Sequence, residues 1–590
     1  MTISSLGPES LRPKAPGRLK RMAAIAVVAA GLSACTLGDA RGEAQDRVDA
    51  EAITLGESWT GNFLAAGHAQ ARRDYAASAD LLLAAAEEGS ADRALLQRTH
   101  FVLVMDGRVE DAARIARQLG EVGHDGPLPV LTLAAEALRS GRPAEAEAQL
   151  QKLPTASVHG ILRPVMMAWT LHELGRTQDA LTALEPLEES ERTEGLYHLH
   201  AALLNAANGN VDAAAEHYRT ATPEEGALSL RVVQLAGAFY ERTGRAEEAA
   251  SLYRRYQQEQ PGSELLTPAL ERLAAGEAPP PPMTTAVEGA AEALFSVASS
   301  LSRQSADESG LALARIGLYL RPDFPALQVL TAQILEGFGR FEDANHAYRQ
   351  VDPSASLAWH ARLGIAGNLA RLDRPEEAEA LLREMSAERP DDPQPLIELG
   401  DIQRRGESFE EAAKSYDAAF KRIPEVGPQH WGILYARGIA FERSGQWDRA
   451  EADFLKALEF QPDQPLVLNY LGYSWVEQGR HLERALGMIE KAVSLRPEDG
   501  YIVDSLGWAH YRLGNFEQAI THLEQAVELQ PGDPTINDHL GDAYWQVGRQ
   551  REARFQWRAA LALDPEPDAR AEIEEKLKRG PVREANAATK

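Results

Sequence analysis

The stretch of sequence that decides the fold is Tyr501–Asp533, which reads YIVDSLGWAHYRLGNFEQAITHLEQAVELQPGD. Apolar residues recur every three or four positions as far as Leu513, which is the spacing of one face of an α-helix. Gly514 then supplies turn chemistry, and a second stripe with the same period begins at Ala519. Pro531 cannot continue a helix and marks its end. The stretch is therefore predicted to form a hairpin of two helices.

The same hairpin pattern recurs along the chain at a nearly fixed interval. The prolines at positions 462, 497, 531 and 565 are 35, 34 and 34 residues apart. One hairpin cannot bury its apolar face alone, whereas a stack of at least about three hairpins can. The segments that match the pattern best are 431–463, 465–498, 500–532 and 534–566, followed by 393–425, 325–353 and 230–262. Segments 359–391 and 291–323 match poorly, and between 59 and 225 the period persists around Gly107, Gly141, Gly175 and Gly209.

The order of residues within one unit resembles the tetratricopeptide repeat. The positions that carry the resemblance are Leu506, Gly507, Gly514, Ala519, Leu523, Ala526 and Pro531. The resemblance covers most of 59–566, about fourteen units, and is strongest in the last third. It implies an all-α fold, a superhelical solenoid of helix-turn-helix repeats in which the first helix of each unit lines a concave face that binds partner proteins or peptides.

One segment interrupts the helical pattern. Residues 277–283 read EAPPPPM, and consecutive prolines cannot form a helix. We interpret the chain as two repeat arrays, 59–276 and 284–566, joined by a proline-rich linker. The alternative is one continuous solenoid in which the prolines form a long loop. Residues 567–580 are predicted to form a helix that caps the last repeat, and residues 581–590 a disordered tail.

The N-terminus has the composition of an export signal. Residues 1–34 carry five basic residues and one acid before a short apolar run, Met22–Ala30, which is too short to span a membrane. The residues Leu32-Ser33-Ala34-Cys35 resemble the lipobox of bacterial lipoproteins. This resemblance implies removal of a signal peptide, 1–34, and lipidation of Cys35, followed by a flexible tether at 35–58. Thr36 stands where an Asp would signal retention in the inner membrane, so the expected location is the periplasmic side of the outer membrane.

Composition and motifs exclude most other classes of protein. A formal net charge of −27 disfavours nucleic acid as a partner. Cys35 is the one cysteine, so no intramolecular disulfide can form. The chain has no phosphate-binding loop, no H-E-x-x-H and no G-x-S-x-G, and His198 and His200 point to different faces of a helix. We therefore expect no catalytic residue, no metal, no cofactor and no enzymatic activity.

The candidate binding residues are aromatic, basic and acidic side chains on the first helices of the last repeats. Aromatic and Arg side chains are common anchors of protein interfaces. By their phase on the helix they should line the concave face, although bulky residues there can also pack against the next unit. The candidates are Tyr435, Tyr473, Trp508, Tyr511, Arg512, Trp545, Arg443, Asn469, Asp538 and Asp542.

Two functions fit these features. The first is a lipid-anchored scaffold or adaptor that binds proteins or peptides in the periplasm, because the plan resembles lipoprotein adaptors that bring a carboxyl-terminal-processing protease to cell-wall enzymes. The alternative is a structural subunit of an outer-membrane assembly or polysaccharide export machine. In both cases the partners are other proteins and, through Cys35, the membrane.

Overall fold

The computed structural model describes residues 58–580 except 89–91, 155–157, 225–226, 261–262, 264, 278 and 281–282. The segments predicted as signal peptide, tether and tail, with Cys35, lie outside the described residues, save for Ser58. Within these limits the chain is all helical, with thirty α-helices, two 3₁₀ turns and no strand, so the predicted all-α fold of helical hairpins is confirmed. None of the helices in the described part combines the length and hydropathy needed to cross a membrane.

The chain divides into two compact units, one that ends at Ala378 and one that begins at Glu379. Helix α19 (Pro375–Glu388) contains the boundary. The helices of the N-terminal unit are α1 (Trp59–Ala71), α2 (Tyr75–Glu88), α3 (Arg93–Asp106), α4 (Val109–Glu121), α5 (Pro127–Arg139), α6 (Pro143–Leu150), α7 (Val158–Glu173), α8 (Thr177–Leu184), α9 (Glu194–Ala207), α10 (Val211–Ala221), α11 (Leu230–Arg242), α12 (Ala246–Glu259), α13 (Thr267–Ala275), α14 (Ala286–Arg303), α15 (Asp307–Leu320), α16 (Pro325–Gly337), α17 (Phe341–Arg349) and α18 (Ala358–Arg371).

The C-terminal unit consists of five hairpins and a terminal helix. Its helices are α20 (Gln394–Arg405), α21 (Phe409–Arg422), α22 (Trp431–Arg443), α23 (Trp447–Phe460), α24 (Pro465–Glu477), α25 (Leu482–Leu495), α26 (Gly500–Arg512), α27 (Phe516–Leu529), α28 (Pro534–Gln546), α29 (Gln550–Ala562) and α30 (Pro567–Arg579). The even-numbered helices α20 to α28 are the first helices of their hairpins. In this unit each helix packs mainly against its neighbours in the chain.

Local sequence explains why the hairpins begin, turn and close as they do. Asp533 caps α28 by accepting hydrogen bonds from the backbone N–H groups of Thr535 and Ile536. Gly514 adopts a φ of +82° between α26 and α27, a conformation that other residues rarely take. A Cβ at Gly507 would lie 2.6 Å from Leu523 Cγ, so glycine allows the two helices to approach closely.

In the N-terminal unit, the hairpin α14–α15 packs across the first helices of earlier hairpins. Helix α14 packs against α7 and also contacts α5 and α9, and α15 contacts α3 and α5. Trp169, fully buried on α7, lies against α14 where a Cβ at Gly289 would be only 1.9 Å from its ring. Glu292, also fully buried, accepts two hydrogen bonds from Arg231 at 2.9 Å and 2.6 Å. The first-helix face of this unit is therefore filled by the chain's own helices.

This packing corrects the predicted division of the chain at residues 277–283. The described prolines, Pro279 and Pro280, are not helical, but the unit continues through them to Ala378. One apolar core runs from Ala66 to Ala361 and includes residues on both sides of the proline-rich segment. The physical reason is that α14 and α15 bury their faces against helices that precede the segment. The prolines interrupt the helical pattern without interrupting the core.

Candidate partner-binding surface

The structure buries half of the predicted binding residues. Tyr435, Tyr473, Asn469 and Asp542 are each at least 92% buried, and the Arg443 side chain is 3% exposed. Tyr435 contacts the rings of Phe454 and Tyr470, with centroids 6.1 Å and 6.0 Å away, inside the core between hairpins. The guanidinium of Arg443 lies 4.3 Å from the centre of the Phe409 ring. These side chains therefore pack in the interior instead of lining an open concave face, as their helical phase predicted.

A cluster of partly exposed residues remains at α26. The Trp508 ring stacks on Tyr511 at 4.6 Å and on His539 of the next hairpin at 4.0 Å. Its indole N–H donates to Glu477 Oε1 at 2.5 Å, and Arg512 donates to the same oxygen at 2.9 Å. We call Trp508, Tyr511 and Arg512, together with the nearly buried Glu477 at the end of α24, the α26 surface. Three of the predicted binding residues, Trp508, Tyr511 and Arg512, thus lie together in the structure, and their role in binding stays a prediction.

The stack is held in place from the next hairpin. His539 is within hydrogen-bond distance of Asp504, with Nδ1 3.0 Å from Oδ1, and Asp504 is fully buried. Gln546 donates to the hydroxyl of Tyr511 at 3.2 Å. Burial, followed by the charge of Asp542, raises the pKa of Tyr511, so its hydroxyl stays protonated near neutral pH. The protonated hydroxyl keeps one hydrogen to donate.

The last two predicted residues, Asp538 and Trp545, lie with the buried Asp542 against the C-terminal end of the same chain. The Lys576 ammonium of α30 lies 2.7 Å from Asp538 Oδ2 and 2.8 Å from Asp542 Oδ2. The backbone of Gly580 lies against Trp545, since a Cβ there would be 2.3 Å from the ring. We call Asp538, Asp542 and Trp545 the terminal notch. The structure thus separates the predicted patch into the α26 surface, which is partly open, and the terminal notch, which α30 covers.

Burial and neighbouring charges shift the pKa values of Asp542 and Lys576 in the terminal notch. Burial and the neighbouring charge of Asp538 together raise the pKa of Asp542 to about 6, against the opposing effect of Lys576. Burial lowers the pKa of Lys576, but the two carboxylates outweigh it and raise that pKa above its usual value. Asp542 also accepts from the indole N–H of Trp557 at 3.0 Å.

Two residues of these clusters were not predicted from the sequence. His539 was not among the candidates, and in the structure it contacts Asp504 and Trp508 of the preceding hairpin. Lys576 belongs to the terminal helix, for which only a capping role was predicted. The available signal was the spacing of Ile573 and Lys576, which places an apolar and a basic group on one face. In the part of the chain that the structure describes, no three His, Cys, Asp or Glu side chains are arranged to hold a metal ion.

Family models support the repeat assignment from the sequence. A model described as tetratricopeptide repeat matches residues 165–227, 329–393 and 397–465, and one described as TPR repeat matches residues 507–548. A TPR repeat-containing protein of Pseudomonas aeruginosa is 31% identical over 167 residues, which is 28% of each chain. The chain thus spans only about a quarter of that curated relative.

The chain is also similar to two solved structures, each with a TM-score below 0.5. The crystal structure of the Cut9–Hcn1 hetero-tetramer of the APC/C matches 83% of this chain and 96% of its own, at 17% identity and a TM-score of 0.37. A tetratricopeptide repeat protein from Parabacteroides merdae matches 42% of this chain and 96% of its own, at 15% identity and a TM-score of 0.35. Scores at this level support no detailed comparison. Repeat spacing, helical hairpins and family models agree that the chain contains tetratricopeptide repeats.

Proposed function

We propose that the protein is a lipid-anchored adaptor that binds a partner protein or peptide through the α26 surface. The observation that carries this proposal is the difference between the two units. In the N-terminal unit α14 and α15 fill the first-helix face, whereas the C-terminal unit keeps a partly exposed aromatic and ionic cluster on α26. Partner binding is therefore assigned to the C-terminal unit.

The chemistry of the α26 surface favours an extended peptide with hydrogen-bond acceptors. The Arg512 side chain is 28% exposed, so part of its guanidinium can donate to a carboxylate or a backbone carbonyl. The Tyr511 hydroxyl, which accepts from Gln546, can donate its own hydrogen to an acceptor of the peptide. The Trp508 ring, already stacked on two neighbours, contributes rigidity and an edge for contact. Rigid aromatic rings beside Arg are frequent anchors of interfaces.

The test removes the Tyr511 hydroxyl and the positive charge of Arg512 and keeps the stacked rings. In the double variant Tyr511→Phe with Arg512→Gln, both side chains keep their approximate size. The aromatic ring at position 511 keeps its stack on Trp508. We expect partner recovery by crosslinking and affinity purification from intact cells to fall at least about tenfold, because truncating an interface anchor costs on the order of 2 kcal/mol. The matched control is Arg551→Gln, an exposed arginine on the second helix α29, which should leave recovery unchanged.

Two results would contradict this assignment. Equal recovery by the double variant and by the wild type, with unchanged circular dichroism, would exclude the α26 surface. Loss of recovery in the Arg551→Gln control would place the partner on the second helices.

The membrane anchor is proposed from Cys35 and the residues before it. The motif Leu32-Ser33-Ala34-Cys35 and the basic, apolar and small residues that precede the cysteine support lipidation in a bacterial envelope, at the periplasmic side of the outer membrane. We expect Cys35→Ala to abolish incorporation of labelled fatty acid and to shift the protein out of the outer-membrane fraction, whereas Ser33→Ala should preserve both. Full labelling of the Cys35→Ala variant would exclude this anchor.

The proposed role is to tether a periplasmic carboxyl-terminal-processing protease to cell-wall enzymes. The support is the combination of a lipobox with a long repeat array. An adaptor of this kind should release its captured proteins in high salt. Retention of integral outer-membrane proteins through salt and detergent would favour a stable machine subunit instead.

A further inference from the structure

Helix α30 packs against the last hairpin and is the last helix of the described chain. Its Ile573 side chain is buried against the last hairpin, and Leu577 packs at the edge of the same apolar cluster. The link from α29 is short, and Asp564 within it has a φ of +54°. Because α30 follows every other helix of the described chain, it can leave the last hairpin without breaking another helix.

The charges of the terminal notch are not balanced by α30. Two carboxylates, Asp538 and Asp542, face the single ammonium of Lys576, which leaves one negative charge in excess. Asp542 satisfies its second oxygen through Trp557, but the buried Oδ1 of Asp538 has no hydrogen-bond partner. Buried polar atoms normally have a partner, so the notch presents one acceptor for which α30 supplies no donor.

We propose that the terminal notch is a docking site for a basic amphipathic helix of a partner protein, and that α30 is its resident competitor. The spacing of Ile573, Lys576 and Leu577 defines the pattern that such a helix must present. It needs an apolar residue at one position, Lys or Arg three residues later and a second apolar residue four residues later. A second basic group on that helix would meet the free oxygen of Asp538. This surface shares no residue with the α26 surface, so different variants test the two proposals.

The excess charge favours a basic occupant over α30 itself. The segment Pro567–Arg579 has four acidic and four basic residues and is neutral overall, whereas the whole chain carries −27. A basic helix would gain both the local contacts and a favourable long-range field.

The experiment measures binding of fluorescent peptides to the full chain by anisotropy. One peptide is the segment 567–579, and a second carries Glu572→Lys and Glu575→Lys. The chain is used as wild type, as Lys576→Gln to weaken the resident helix, and as Lys576→Gln with Asp538→Asn to disable the notch. We expect the native peptide to bind Lys576→Gln at least tenfold more tightly than the wild type, and the basic peptide to bind more tightly still. The double variant should lose this gain.

Each alternative outcome overturns part of the proposal. If neither peptide binds Lys576→Gln more tightly than the wild type while circular dichroism is unchanged, α30 is a permanent part of the last repeat and not a competitor. If Asp538→Asn leaves binding unchanged, the peptides bind elsewhere. If the basic peptide binds no better than the native one, the preference for a basic helix is wrong.

Discussion

At the scale of single residues, helical phase predicts which face a side chain lies on but not what covers it. The phase of Trp508 places it correctly beside Tyr511, one turn away on α26. The phase of Tyr435 is equivalent to that of other candidates, yet its ring is buried between Phe454 and Tyr470. The difference depends on the size of the side chains that the adjacent hairpin presents, and repeat spacing carries no information about that size.

Two buried histidines of the N-terminal unit make its stability depend on pH. Burial lowers the pKa of His100 to about 3, with a smaller effect of His124, and burial lowers the pKa of His200 to about 4 against a raising effect of Glu292. The unfolded chain binds these protons near pH 6.5, whereas the folded chain stays neutral until a lower pH. The free energy of unfolding should therefore fall as the pH drops from 6.5 towards 4, by about 1.4 kcal/mol per pH unit for each group.

The check is urea unfolding of the full chain at pH 7 and pH 5. We expect the transition of the N-terminal unit to move to lower urea at pH 5. His100→Gln should reduce that shift, because its amide can still meet Thr132 Oγ1, 3.1 Å from the His100 ring nitrogen, without titrating. An identical shift in the variant would mean that His100 does not contribute.

At the scale of elements, the sequence predicts helical hairpins well and their non-local contacts poorly. The turn glycines and the apolar period predict where paired helices form, because both are local properties. Helix α14 is rich in small and apolar residues around most of its circumference, which is typical of a helix covered on several sides. That pattern does not identify α7 as the helix it packs against. The contact between α14 and α7 depends on the complementary shapes of Gly289 and Trp169, more than a hundred residues apart.

Substitution of Gly289 tests this contact. Gly289→Ala should destabilise the N-terminal unit by several kcal/mol, because its Cβ would lie 1.9 Å from the buried Trp169 ring and neither helix can move without disturbing the core. The matched control is Gly487→Ala in α25, where the added Cβ meets no atom within 4 Å. That change should be neutral or stabilise by up to about 1 kcal/mol, since Ala favours helix more than Gly. Thermal unfolding measures both, and similar transitions for the two variants would contradict the contact.

At the scale of the whole molecule, a proline-rich segment predicted the wrong boundary for a physical reason. Consecutive prolines show only that the backbone is not helical at their own positions, and this is a local property. A compact unit is defined by which faces are buried together. The helices after the prolines bury their faces on helices before them, so the unit continues to Ala378. The prediction of binding residues was limited in the same way. Whether a side chain is exposed also depends on residues that are distant in the sequence.

The boundary at Ala378 leads to a prediction about fragments. A fragment of residues 375–580 keeps α19 intact and contains the apolar clusters of the last hairpins, so it should fold and unfold in one cooperative thermal transition. A fragment of residues 58–276 lacks α14 and α15, which leaves the Trp169 face uncovered and Arg231 without its partner Glu292. We expect it to bind the dye anilinonaphthalene sulfonate strongly and to aggregate on heating. If instead 58–276 unfolds cooperatively without binding dye, and 284–580 does the same, the first-helix face of the N-terminal unit is stable without α14. In that case the face would be available to partners, and the assignment of binding to the C-terminal unit alone would have to be withdrawn.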